Sequence, residues 1–405
     1  MGKHWITLHA DSFLWLKGNM GLVYNAENKK SLLFTLSGRV EEICHQLLKT
    51  ENLYTAELTD DDLNNNEISE WIHSLVDIQA GFLSHNIAFD KRPVSLKPIL
   101  KVQNKKEYYE LHHTKGHGGE ILQNLHELTF YINGSKYGSN EYFKQHIFPL
   151  KDNQHILDSS KILSFIGNSR NPLLTNINLV GDLFSYPDFE QFISSISDFS
   201  VQCTIHITIQ DVLDNLPKIK EINWSSRIQF NILVDAIFDV SFIQDIPCPF
   251  SITAFVFSEE EYTQLSDMFE TLSLDENQSI RYIPLYNKEN LDFFESNVFV
   301  EKDELEHIGL SKDEIFMRQA LNINDFGKLT ILSDGMVYAN VNEPPLGSID
   351  NTPYSIVYKE FTEGKSWFKV RDKMPCCDCV YQWLCPSPSN YEIVIGKPNL
   401  CHIRS

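Results

Sequence analysis

The chain has 405 residues, 42% of them hydrophobic, enough for two or three domains with sizeable cores. Its formal net charge of -21 argues against the phosphate backbone of a nucleic acid as partner, because that contact needs a basic face. No apolar run is long enough to cross a bilayer, and the segment from Met1 to Thr7 lacks the apolar core of a signal peptide, so no membrane partner and a cytoplasmic location are expected.

Residues 1–86 read as a small α/β unit. Trp5–Leu16, Gly21–Tyr24 and Ser31–Leu36 have strand length and strand composition, with Gly18, Asn25 and Asn28 at the turns. Ser37 is expected to cap a helix through Lys49 that turns Val40, Ile43, Cys44, Leu47 and Leu48 to one side. A second helix over Asn66–Ala80 groups Ile68, Trp71, Ile72, Leu75 and Val76. Residues 87–126 form a connector containing HHTKGHGGE. Its His112, His113 and His117, with Gly116, Gly118 and Gly119, lack the strand-to-helix setting of a phosphate loop and read as a polar loop.

Residues 127–300 alternate strand and helix signals. The strands are Leu128–Ile132, Thr175–Val180, Ser200–Thr208, Arg227–Val234, Phe250–Phe257 and Ile280–Leu285. Most are continuous apolar runs of the kind covered on both faces. Helical stretches such as Asp158–Phe165, Asp188–Ile196 and Glu259–Leu272 lie between them. Six such units predict an open parallel (β/α)6 barrel rather than a closed eight-stranded one. Residues 301–405 change character: Asp334-Gly335 marks a hairpin, and a cysteine-rich tail follows.

Five of the eight cysteines crowd into 376–401, while Cys44, Cys203 and Cys248 are scattered. Cys376, Cys379, Cys385 and Cys401 read C-x2-C-x5-C-x15-C, a spacing at which thiolates can surround a metal ion or an iron–sulfur cluster. In a reducing compartment a crowded set is better read as a metal site than as a disulfide framework. Tetrahedral Zn2+ and a [4Fe-4S] cluster suit these donors equally by spacing, and an empty or disulfide-linked state is the remaining alternative. Cys377, between two ligands, is expected to point away.

The stretch LLFTLSGRVEEICHQLL and the later VDIQAGFLS resemble the winged-helix-like domains that recognise leader peptides of ribosomally made natural products (RiPPs). The hairpin DGMVYAN, the following LGSI and CCDCVYQWLC resemble a SPASM domain, and residues 125–405 as a whole are similar to radical S-adenosylmethionine (radical SAM) proteins carrying one. The departures matter more. In that family C-x3-C-x2-C after the first barrel strand holds the catalytic cluster. Here the region reads YINGSKYGSNEYFKQH, residues 131–146, without a cysteine. The family's Gly-Gly-Glu-Pro is represented by Val180-Gly181-Asp182-Leu183. Its first auxiliary cluster would need thiols where this chain has Asn340 and Ser389, and none lies between 300 and 335. The second auxiliary set survives whole as Cys376, Cys379, Cys385 and Cys401, so the resemblance implies one [4Fe-4S] cluster there and no bound S-adenosylmethionine.

The resemblance thus implies a pseudoenzyme similar to the pseudo-radical-SAM/SPASM proteins of Bacteroidales-type RiPP systems. It would bind a precursor peptide, scaffold an active radical-SAM maturase, or both. Leader peptides dock by adding a strand to an exposed sheet edge. The candidate edge is Ser31–Leu36 and the candidate groove walls are Leu33, Phe34, Ile68, Trp71 and Ile72. The plain alternative makes Trp71 and Ile72 ordinary core. An electron-relay partner with a single auxiliary cluster is a second expectation, which zinc occupancy would eliminate because zinc has no redox chemistry. A non-radical enzyme using His206 with Asp235 or Asp211 is a third, although Thr204, His206 and Thr208 more simply line the polar side of a strand.

Overall fold

The computed structural model describes residues 3–86, 92–97, 117–151, 155–272 and 278–403. Expected features at His112, His113 and Gly116 lie outside them. The first strands are β1 (Lys3–Leu8), β2 (Ser12–Lys17), β3 (Met20–Asn25), β4 (Lys30–Thr35), β5 (Thr55–Leu58) and β6 (Gly81–Asn86). They form two antiparallel sheets, ordered β5-β1-β6 and β2-β3-β4. The single strand expected over Trp5–Leu16 is therefore two. A turn at Ala10–Asp11, with the Ser12 amide donating to the His9 carbonyl at 3.0 Å, sends the halves into different sheets.

The helix Gly38–Leu48 buries Val40, Ile43, Cys44 and Leu47, and Asn66–Asp77 buries Ile68, Trp71, Ile72 and Leu75. Leu48 and Val76, expected on those faces, are instead 39% and 40% exposed. Ser37 occupies the expected N-cap position without capping through its side chain; its hydroxyl donates to the Glu67 carboxylate, tying the two helices together.

The β2-β3-β4 sheet is covered on both faces, and residue parity assigns the cover. Leu14, Val23, Leu32 and Phe34 join the core of the two helices. Phe13, Leu22, Tyr24 and Leu33 join a second core with Leu305, Leu310, Ile315, Cys379, Val380 and Leu384. The Tyr24 hydroxyl sits between the carbonyls of Ile308 and Leu310, each at 2.9 Å. Lys17 Nζ donates to the Cys377 carbonyl at 2.5 Å. The N-terminal unit is thus seated directly on the cysteine-rich tail.

Six parallel strands follow, each paired with the next in chain order: β7 (Glu127–Tyr131), β8 (Asn176–Val180), β9 (Gln202–Thr208), β10 (Ile228–Val234), β11 (Phe250–Val256) and β12 (Ile280–Pro284). The helices Ser159–Asn168, Phe189–Ser197, Ile209–Glu221 and Glu259–Glu270 lie between them. β13 (Lys328–Ile331) adds in parallel to β7, and β14 (Met336–Tyr338) and β15 (Gly347–Ser348) extend the sheet to nine strands. The hairpin expected at Asp334-Gly335 joins β13 and β14, and Gly335 supplies the positive φ of 83° that the turn requires. The chain is a mixed α/β protein built on this largely parallel sheet. Its strands are not apolar on both faces. Cys203, Ile205 and Ile207 of β9 enter the helix-covered core, whereas Thr204 and His206 line a cavity on the other face.

Candidate functional site

Among the described residues β4 pairs with β3 along one edge only. Lys30 and Thr35 at its ends are exposed, and Ser31 through Phe34 between them are half-buried. The Ser31 hydroxyl donates to the Glu306 carbonyl at 3.1 Å. The expected groove is divided by strand parity. Leu33 faces the core shared with the C-terminal part, whereas Phe34 faces the helices. The Phe34 ring lies 5.6 Å from that of Trp71 and covers Gly21, where a Cβ would come within 2.4 Å of it. Ile68, Trp71 and Ile72 are 4%, 6% and 3% exposed, so they form the floor beneath Phe34 rather than an open wall. Trp71 Nε1 is buried with no hydrogen-bond partner among the described residues.

Cys376, Cys379 and Cys401 each act electrostatically on the Cys385 thiol. The 3-10 turn at Cys376–Asp378 carries the first, and Cys401 returns beside Val300 through an isolated parallel bridge. Burial pushes the Cys385 thiol up to about 12, and nearby Cys379, Cys401 and Cys376 add to that shift while Arg371 opposes it. Burial likewise raises Cys376, against the pull of Arg371. The Arg371 side chain is 10% exposed; Nη2 meets Glu392 at 2.7 Å and Nη1 lies 3.7 Å from Cys376 Sγ. Arg318, also close to Cys385, donates to the Leu384 carbonyl, and its Nε has no partner among the described residues. Asn399 Nδ2 is 2.9 Å from Cys401 Sγ. Cys377 turns to Met374, sulfur to sulfur at 3.3 Å, as expected of a bystander.

By donor type the thiols suit a thiolate-ligated centre, and the guanidinium groups of Arg371 and Arg318 near them suit an anionic one. In arrangement, however, no set of three or more His, Cys, Asp or Glu among the described residues stands as a metal site.

The loop after β7, where the resemblance places the catalytic cluster, folds onto itself. The amides of Ser135 and Ser139 donate to the carbonyls of Leu150 and Pro149, each at 2.8 Å. The Ser135 hydroxyl donates to Asp211, and Lys136 and Tyr137 hold Asp214 at 2.6 and 3.0 Å. Phe148, 2% exposed, enters a cluster with Leu233, Phe255 and Leu285, flanked by Tyr142. Phe143 and Ile147 pack on Tyr131, Leu150 and Val180. These are the C-terminal ends of the parallel strands, the end at which parallel α/β sheets place their binding sites. Here it is filled by apolar side chains. Gly181 has φ 133°, and a Cβ would fall 2.3 Å from Asn133 Oδ1. Asp182 is committed to capping the turn Leu183–Ser185.

Below this plug lies a cavity of about 600 Å3 between the sheet and the C-terminal part. His206 is at its centre but pairs with neither Asp211 nor Asp235. Its Nε2 is 3.1 Å from Asn178 Oδ1, and Asn231 Nδ2 donates to its Nδ1 at 3.0 Å. That pattern fixes a neutral ring with the proton on Nε2. Burial, aided by Arg281, lowers His206 to about 3. Asp211 instead accepts from Ser135 and Thr208, both at 2.8 Å. On the far wall, Asn340 donates to both oxygens of Asp325 at 3.1 Å and to Asn390 at 2.7 Å, and Asn322 adds a bond to Asp325 at 3.0 Å. The position where the resemblance expects an auxiliary-cluster thiol therefore holds a carboxamide in a satisfied network. Burial pushes Asp325 up to about 6.

No family model and no curated protein matches this chain. Among solved structures, Streptococcus suis SuiB bound to the precursor peptide SuiA aligns over 98% of this chain and 98% of its own, and SuiB bound to S-adenosylmethionine over 98% and 99%. Both alignments have 10% sequence identity and a TM-score of 0.45, a distance that leaves the family of the chain unassigned.

Proposed function

We propose that this protein is a catalytically silent relative of radical-SAM/SPASM proteins that captures a precursor peptide and presents it to an active maturase in RiPP biosynthesis. The observation that carries the reading is the loop at 131–146. It offers no thiol, and its Tyr142 and Phe143, with Phe148 just beyond it, pack across the C-terminal ends of the parallel strands. A cluster there would need three thiolates and open space; residues 131–146 supply no thiolate, and among the described residues apolar side chains pack across that end. The peptide would add to the free edge of β4, its side chains resting against Phe34. The four-thiol group would hold one metal centre that fixes the tail on which the N-terminal unit sits.

Removing residues 1–86 is a poor test, since it would strip Phe13, Leu22 and Tyr24 from a core shared with the tail. The full chain carrying Phe34→Asp is better. Leader-peptide binding followed by fluorescence anisotropy should weaken by about tenfold or more in the variant. Lys30→Ala, at the exposed start of the strand, should change it less than threefold. Equal affinity for wild type and Phe34→Asp removes β4 as the docking edge. Turnover of S-adenosylmethionine by the purified chain removes the pseudoenzyme reading.

A further inference from the structure

The cavity face of the sheet is graded along the strands. At their C-terminal ends Tyr131, Leu233 and Phe255 are 2%, 1% and 1% exposed, under the Phe148 plug. Midway, Thr129, Asn178, His206, Asn231 and Thr253 are all buried. At the N-terminal ends Asn176 and Arg281 are exposed, and Glu127, Gln229, Ser251 and Lys328 are half-exposed. Solvent therefore reaches the cavity at the N-terminal ends of the strands, opposite to the usual working end of a parallel barrel.

The buried middle layer is a directed chain of hydrogen bonds across five strands. Thr253 donates to Asn231 at 2.9 Å, Asn231 to His206 at 3.0 Å, His206 to Asn178 at 3.1 Å, and Asn178 to Thr129 at 3.1 Å. The Thr129 hydroxyl proton, at the end of the chain, has no acceptor among the described residues. Barrel interiors of this kind are ordinarily filled by branched apolar residues. A polar layer facing an open cavity suits a ligand of matching polarity. At the open end Arg281 makes no hydrogen bond or ion pair among the described residues. The charged groups that face the cavity with it are Lys328, Glu127 and Asp325, and Asp325 already accepts from Asn322 and Asn340.

We propose that the cavity is a binding site for a carboxylate flanked by amide groups, entered from the N-terminal ends of the strands, with Arg281 taking the carboxylate and the Asn/Thr layer taking the amides. A short peptide end has that chemistry, and the volume accommodates a few residues. The site is separate from the β4 edge and does not depend on the leader-binding reading.

The test uses the full chain and N-acetyl-trialanine with a free C-terminus, followed by saturation-transfer NMR and calorimetry. Saturation transfer to the free acid is expected. The C-terminal amide of the same peptide should bind about tenfold or more weakly, as should the acid to Arg281→Gln protein, because the charge-assisted contact is lost. Arg281→Lys should restore part of the affinity, and thermal unfolding of the Arg281 variants should match wild type, since the side chain is exposed. Absence of transfer at millimolar peptide, equal binding of acid and amide, or unchanged affinity in Arg281→Gln overturns the proposal. Acetate binding as tightly as the tripeptide overturns the amide assignment. Phe34→Asp should leave tripeptide affinity unchanged; its loss there would put the peptide at the N-terminal edge and overturn the cavity site.

Discussion

Phe148→Ala is the sharpest probe of the sealed barrel end. The ring is 2% exposed, packs with Leu233, Phe255 and Leu285, and meets Tyr142 and Phe255 edge-to-face at centroid distances of 5.4 Å each. Truncating a phenylalanine at such a site costs about 3–5 kcal/mol, of which each aromatic pair carries roughly 0.5–1.5 kcal/mol. Because a chain with several cores does not unfold in one step, the suitable assay is hydrogen exchange at the C-terminal ends of β10 and β11. Amide exchange there should accelerate on the order of 100-fold or more, with little change at β1 or β6. Phe148→Leu, which keeps most of the volume, should cost less than about 2 kcal/mol. An acceleration below about fivefold in Phe148→Ala, or about 1 kcal/mol, would mean that the ring is not packed and that the barrel end is open.

Glu360 offers a pH test. Its carboxylate, 1% exposed, accepts the amides of Ser366 and Trp367 at 3.0 and 2.8 Å, and burial pushes it from the ordinary 4.5 up to about 7. Between these values the unfolded chain releases the proton while the folded chain keeps it, so stability falls as pH rises from about 4.5 to 7, by about 3 kcal/mol. Glu360→Gln should remove that component, and an unchanged pH profile of unfolding contradicts it. Glu392→Gln leaves Arg371 buried without its carboxylate and should cost about 3–5 kcal/mol in metal-free protein. The cost should shrink once the thiols bind zinc or a cluster, since an anionic centre replaces the lost charge; an equal cost in both forms argues against such a centre beside Arg371. Leu33→Ala should destabilise the contact between β4 and the tail without weakening peptide capture, because its side chain faces away from Phe34. Calorimetric unfolding and anisotropy measure the two effects separately.

What the sequence made legible follows its local patterns. The six parallel strands, the helices between them and the Asp334-Gly335 hairpin each announce themselves within a short window. The four-cysteine group is legible in its spacing, but no set of three or more His, Cys, Asp or Glu among the described residues stands as a metal site. The break at Ala10–Asp11 carries no glycine or proline, and its only turn signal is Asp11-Ser12 between two apolar stretches. The Leu33/Phe34 split follows from strand parity, but only once both faces of β4 are known to be covered. The apolar cover over the C-terminal ends of the parallel strands depends on Phe148 and Tyr142 reaching strands more than eighty residues away, which no local pattern encodes. The role of Asn340 depends in the same way on Asp325 and Asn390, each set by a different segment.

The expected absence of an iron–sulfur centre at the C-terminal ends of the parallel strands separates this chain from a radical enzyme. It is tested most directly by anaerobic reconstitution with iron and sulfide, followed by electron paramagnetic resonance of the reduced wild type and of the Cys376→Ser, Cys379→Ser, Cys385→Ser, Cys401→Ser combination. The quadruple variant should give no cluster signal, and S-adenosylmethionine should not perturb any signal of the wild type. A cluster signal that survives the four substitutions, or that shifts on adding S-adenosylmethionine, would contradict it.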